Sequence, residues 1–236
     1  MCPLAPAPAA LLFDAMGTLV RLAAPAPALR LGLAQRFGVQ VTDGQAQRAL
    51  EAEIAYYRAH LHEGGTATSL AELRARCAEV LRGALPASCA LHAVPAPELT
   101  DALVGALGFE AFPDALPALQ AARARGQRAV VVSNWDCSLP EVFERLGLAP
   151  WLHGVLSSAQ VGAAKPSPLI FEAALALAGC RAHEALHVGD SPAEDVAGAR
   201  AAGVPVLLLA RDGTPGPDGV ATIRSLDELG ASNLAG

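Results

Sequence analysis

Four stretches of this chain lead into side chains that can do chemistry. Ala9-Ala10-Leu11-Leu12-Phe13 is apolar and stops at a carboxylate, Asp14, with Gly17 and Thr18 just beyond. Arg128-Ala129-Val130-Val131-Val132 stops at Ser133-Asn134. Gly154-Val155-Leu156-Ser157-Ser158 precedes Lys165, and Ala185-Leu186-His187-Val188 stops at Gly189-Asp190. A carboxylate such as Asp14 can attack phosphorus or an activated carbon and give a covalent intermediate. Ser133 and Lys165 can hold the oxygens of a transferring phosphoryl group. Asp14 and Asp190 can share Mg²⁺, a hard ion that takes few carboxylates. Without a cation the two would repel, so a metal or Lys165 must sit between them. By itself Asp14 reads as a turn or cap residue. The three distant strand ends make it a nucleophile instead.

The elements follow from the apolar pattern. A short continuous apolar run is the mark of a strand buried on both faces. Strands here alternate with helices at Pro113 to Arg125, Leu139 to Leu146, Leu169 to Ala178 and Ala193 to Ala202, and a last strand runs from Val204 to Ala210. That alternation predicts a parallel sheet with right-handed crossovers, whose carboxyl ends gather at one edge. Between the first two strands the pattern is helical. Ala23-Ala24-Pro25-Ala26-Pro27 reads as a hinge. Helices follow from Ala28 to Phe37 and from Thr42-Asp43 towards His60, then one capped by Thr68-Ser69, and a short one from Glu98 to Leu107. The expected fold is α/β: a parallel-sheet core from residues 1–20 and 106–236, with an inserted all-helical subdomain from 21–105. Gly213 to Gly219 reads as loop, and the final residues as weakly held.

The totals set limits. The chain has 236 residues and 53% hydrophobic content, enough to bury an α/β core. Net charge is −6 with no basic run, which argues against nucleic acid. The five cysteines, Cys2, Cys77, Cys89, Cys137 and Cys180, are scattered and odd in number, so they read as free thiols in a reducing compartment. No apolar run approaches the roughly 20 residues a membrane helix needs. The N-terminus lacks a basic segment and is broken by prolines. The expectation is a cytoplasmic monomer or homodimer that acts on a small molecule and contacts no membrane.

The set of strand ends resembles the haloacid dehalogenase-like hydrolase superfamily over nearly the whole chain. Asp14-Ala15-Met16-Gly17-Thr18-Leu19 is similar to its first motif and Val132-Ser133-Asn134 to its second. Lys165, in Ala164-Lys165-Pro166-Ser167-Pro168, matches the third, and Val188-Gly189-Asp190-Ser191-Pro192-Ala193-Glu194-Asp195 the fourth. The resemblance implies a modified Rossmann-like core with a small helical cap over the site. It implies Asp14 as nucleophile, with Ser133 and Lys165 as its catalytic partners. Ser133, Asn134, Lys165 and Thr18 would contact substrate. Mg²⁺ would sit at Asp14, Asp190 and the backbone carbonyl of Met16, with Asp195 in or near the metal shell.

Met16 departs from the family's phosphatases, which carry there a second aspartate that protonates the leaving group and later activates water. A thioether does neither, and losing general acid–base help costs ~10²–10⁴-fold. The family's dehalogenases also lack that aspartate and use no metal, but carry tyrosine at that position. Asp-Ala-x-Gly-Thr together with Ser133-Asn134-Trp135-Asp136 resembles a less understood branch. Three functions compete: a Mg²⁺-dependent phosphatase of a small phosphate ester with weakened or substituted acid–base chemistry, a metal-independent 2-haloacid dehalogenase, and a catalytically silent binding protein. Asp136 reads as a helix cap or a substitute acid. Glu194 reads as solvent-facing and His187 as a core histidine. His60, His62, Tyr56, Tyr57, Trp135 and Trp151 read as packing or surface groups.

Overall fold

The computed structural model describes residues 7–87 and 90–230. Cys2, Cys89 and the final residues, on which expectations were stated above, lie outside them. In chain order the elements are β1 (Ala10–Phe13), β2 (Val20–Leu22), α1 (Pro25–Phe37), α2 (Asp43–His60), α3 (Ala67–Ala84), α4 (Ala96–Ala106), β3 (Phe109–Ala111) and α5 (Ala115–Ala124). They continue with β4 (Arg128–Ser133), α6 (Leu139–Arg145), β5 (Gly154–Ser157), α7 (Ser158–Val161), α8 (Pro168–Ala178), β6 (Ala185–Gly189), α9 (Ala197–Ala201), β7 (Val206–Leu209) and β8 (Thr222–Ile223). The chain divides into two compact units, Met1–Arg21 with Ala111–Gly236, and Leu22–Glu110.

The first unit is built on a six-stranded sheet in the order β5-β4-β1-β6-β7-β8, parallel throughout. Every residue of β1 and β6 is buried. Their apolar runs are continuous because parallel sheets are covered on both faces. Register then aligns the chemistry. Phe13 lies opposite Val131 on one side and Val188 on the other. The residues that follow, Asp14, Val132-Ser133 and Gly189-Asp190, therefore leave the sheet at the same edge. Ser133 also pairs with Ser157 of β5. A core of Leu12, Val130, Val132, Ile170, Phe171 and Ala174 fills the space between the sheet and α8.

The second unit is helical, with its own core that includes Leu29, Leu33, Leu50, Leu73, Leu81 and Leu103. Thr42 closes a capping box with Gln45 at the start of α2. Gly38 ends α1 at φ 67°, a left-handed position suited to glycine.

Several local expectations need correction. The segment read as a hinge is helix from Pro25 onward, because proline fits the first turn, where its missing N–H costs nothing. Thr66, not Thr68-Ser69, caps α3, and Ser69 completes its capping box. Val20–Leu22 is a strand that pairs with β3 in a two-stranded sheet, so the insert is not helical from its first residue. The helix after Asp190 opens as a π-helical turn, Pro192–Val196, before α9. Pattern cannot distinguish π from α over one turn, and such turns occur at functional sites. The short β8, whose Thr222 is exposed, had no apolar run to reveal it.

Candidate active site

Asp14 follows β1 and is 5% exposed. The backbone turns immediately afterwards. Gly17 sits at φ +82°, and a methyl group there would overlap the Asp190 carboxylate. Glycine therefore serves two needs at once, a left-handed backbone and close approach of two strand ends. Arg211, just beyond β7, holds this turn from outside. Its Nη2 donates to the Thr18 carbonyl at 2.7 Å and its Nε to the Gly17 carbonyl at 3.2 Å. Two further N–H groups reach Asp114 at 2.8 and 2.9 Å, and the guanidinium lies over Phe112. A cavity of about 490 Å³ opens beside Gly17 and Asp190, with Phe112, Pro192, Arg211 and Thr214 in its walls.

Lys165 lies at the centre of a buried charge network. Its Nζ donates to Asp14 Oδ1 and to Asp195 Oδ1, both at 2.6 Å. Ser133 Oγ donates to the same Asp14 oxygen at 3.0 Å. Asp14 Oδ2 accepts no bond among the described residues. Asp195 Oδ1 is shared with His187 Nε2 at 2.9 Å, and its Oδ2 accepts the Ser191 N–H at 3.0 Å. A methyl at Gly189 would overlap Asp195, so that glycine makes room for the network. Burial opposes the charge on Lys165, but Asp14 and Asp195 outweigh it and hold the ammonium above its usual range. Burial also opposes the charge on Asp195, yet Lys165 and His187 hold it well below the usual carboxylate range. Burial pushes Asp14 up, while Lys165 and Ser133 pull the other way. Asp190 has an exposed side chain in a crowded position. Partial desolvation, then the charges of Asp14 and Asp195, push it up to about 7.

Oxygens of Asp14, Asp190 and Asp195 lie within 4.8 Å of one another. Three carboxylates face one ammonium. Hard oxygen donors with excess negative charge fit a hard divalent cation. Both Asp195 oxygens already accept hydrogen bonds, so Asp14 and Asp190 are the better placed ligands.

The other sequence candidates fall into place around this centre. Asn134 was expected to touch substrate, but its amide is spent on protein. Its Oδ1 accepts the Lys165 N–H at 2.7 Å, and its Nδ2 donates to the Lys165 carbonyl and to Glu194, each at 3.0 Å. Thr18 is wholly buried and its hydroxyl has no partner among the described residues. Met16 is half-buried beside Asp14. Asp136 is buried and accepts the Ser138 N–H at 2.7 Å, which makes it a turn-forming residue. In the helical unit, Tyr56 and His60 stack at 4.0 Å, and Arg76 donates to the Tyr56 hydroxyl. Trp135 is buried, and Trp151 packs under Arg123. Arg211 and Asp114 went unnoticed in the sequence because neither follows a motif. Their pairing joins residues 97 positions apart.

A family model described as haloacid dehalogenase-like hydrolase matches residues 8–203. The chain therefore belongs to the haloacid dehalogenase-like hydrolases, an enzyme family. Haloacid dehalogenase-like hydrolase domain-containing protein 3 of Bos taurus is 41% identical over 92 residues, 39% of this chain and 37% of that protein. Phosphoglycolate phosphatase of Rhodospirillum rubrum is 41% identical over 103 residues, 43% of this chain and 42% of that protein. The chain spans less than half the length of either relative. A crystal structure of 2-haloacid dehalogenase from Pseudomonas syringae pv. Tomato DC3000 aligns with TM-score 0.66 at 27% identity, over 93% of this chain and 95% of that one. No helix of the described residues is long and apolar enough to cross a membrane.

Proposed function

We propose that this chain is a Mg²⁺-dependent hydrolase of small phosphate monoesters, with Asp14 as nucleophile. The observation that carries this reading is the surplus of negative charge around one ammonium, in which Asp190 stays uncompensated until a cation binds. A dehalogenase has no use for that second open carboxylate. The phosphatase name among the relatives supports the same choice. Asp14, Asp190 and the Met16 carbonyl would hold the ion. When bound, it would neutralise phosphoryl oxygens and the carboxylates together.

The chain's own residues supply the rest. Ser133 and Lys165 occupy Asp14 Oδ1, which leaves the lone pairs of Oδ2 for attack on phosphorus. A bond forms from Asp14 to phosphorus as the ester P–O bond breaks, and the leaving oxygen takes up a proton from solvent. Water then attacks phosphorus, gives a proton back to solvent and breaks the bond to Asp14, which releases phosphate and restores the carboxylate. Lys165 and Ser133 stabilise the charge that builds on the phosphoryl oxygens. Met16 supplies no proton at the leaving group, so esters with stable leaving groups should react best. The helical unit serves as the cap that selects the substrate, and the compartment is cytoplasmic.

Phosphate release from a panel of phosphomonoesters, with and without Mg²⁺, tests this. Metal-dependent turnover that disappears in Asp14→Asn is expected. No turnover on any ester would sink the reading. Metal-free turnover of 2-chloropropionate would replace it with dehalogenation.

A further inference from the structure

We propose that His187 is a positioning residue for the reaction at Asp14, acting through Asp195 and Lys165; this rests on the hydrolase reading above. His187 lies in β6 and is wholly buried. Its Nε2 is 2.9 Å from Asp195 Oδ1, and Lys165 Nζ is 2.6 Å from that same oxygen. The ammonium then reaches Asp14 Oδ1 at 2.6 Å. Imidazole, carboxylate, ammonium and nucleophile thus form one unbroken line of buried hydrogen bonds. A histidine that only filled space in the core would have no need to aim a nitrogen at this oxygen.

The protonation of the ring follows from its partners. Asp195 faces an ammonium and is a carboxylate, and a carboxylate only accepts hydrogen bonds. Nε2 therefore donates. Nδ1 is buried and has no partner among the described residues. Nε2 thus carries the proton directed at Asp195. Phe171 packs edge-on against it at 5.0 Å and 88°, which limits rotation.

The consequence lies in how Asp195 divides its attraction. Its Oδ2 is tied to the Ser191 N–H, so Oδ1 alone faces the ammonium. With His187 on the same oxygen, Asp195 is held in one orientation and spends part of its acceptor strength away from Lys165. Without His187, the ammonium would have Oδ1 to itself and would lean from Asp14 towards Asp195. The nucleophile and the phosphoryl oxygens would lose part of that charge. Partners that orient a reacting group in this way are typically worth about 10–100-fold in activity.

The test uses the full-length enzyme with its best ester. His187→Leu and His187→Gln are made alone and in an Asp195→Asn background. In the native background, His187→Leu should lower kcat about tenfold and leave KM unchanged. His187→Gln, which keeps a donor, should recover most of it. In the Asp195→Asn background, His187→Leu should cost nothing further, because the intermediary has gone. Nitrogen NMR of the histidine rings should show a proton on His187 Nε2. Equal losses in both backgrounds, a rise in KM in place of the fall in kcat, or no proton on Nε2 would overturn the proposal. If the native enzyme hydrolyses no ester, the hydrolase reading fails separately, and the ring NMR still decides the bond to Asp195.

Discussion

At the scale of single residues, the site is defined by unequal compensation of charge. Lys165 satisfies Asp14 and Asp195 by direct contact, whereas Asp190 has no such partner among the described residues, and partial desolvation with the nearby carboxylates pushes it up to about 7. The sign of its contribution to stability follows. The unfolded chain releases this proton near 3.8, the ordinary value, and the folded chain near 7. Stability of the metal-free protein therefore falls as pH rises through that window and stays low above it. Asp190→Asn should raise the metal-free Tm at pH 8, and the gain should vanish by about pH 4. Mg²⁺ should raise the Tm of the native protein at pH 8 but not that of Asp190→Asn. Thermal unfolding with and without the metal checks both. Met16 is the other residue that invites a test. Met16→Asp places an acid two residues past Asp14, and under the proposed reaction phosphatase activity should rise by a sizeable part of the ~10²–10⁴-fold that general acid–base catalysis supplies. An unchanged rate in steady-state assays would mean that another group already donates the proton.

Among the elements, the turns after the strands matter most. β1, β4 and β6 bring Asp14, Ser133 and Asp190 to one edge, but Gly17 and Gly189 allow those loops to approach each other. Gly17→Ala places a methyl against Asp190 and forces alanine to a positive φ. It should destabilise the protein by about 1–3 kcal/mol and weaken Mg²⁺ binding, measured by urea unfolding and by calorimetric titration of the metal. Much of this level was legible in the sequence. The strands show as continuous apolar runs, and α2, α3 and α8 show their caps or periodicity. What was not legible has local causes. Pro25 begins a helix as readily as it breaks a chain, so α1 was entered late. Residues Pro192–Val196 look the same whether the turn is π or α.

For the molecule as a whole, the two units have separate hydrophobic cores. Leu73 is fully buried in the helical one. Leu73→Ala should cost about 2–5 kcal/mol, and hydrogen exchange should quicken in α1 to α4 while β1, β4 and β6 stay protected. Faster exchange in all seven elements would show that both cores unfold together. The network around Lys165 belongs to the sheet unit alone, where it joins residues 151 and 30 positions apart.

The parallel sheet was legible in the amino-acid sequence, as was the placing of a carboxylate, a hydroxyl and a lysine at or after its strand ends. The strands, Asp14, Ser133 and Asp190 are encoded locally, by an apolar run and the polar residue that ends it. Tertiary structure decided how those groups divide their hydrogen bonds. It turned Asn134 towards the Lys165 backbone, buried the Thr18 hydroxyl, tied the turn after Asp14 to Arg211 and aimed His187 at Asp195. A side chain's partner depends on which strand ends meet and at what register, and no single stretch of sequence carries that information.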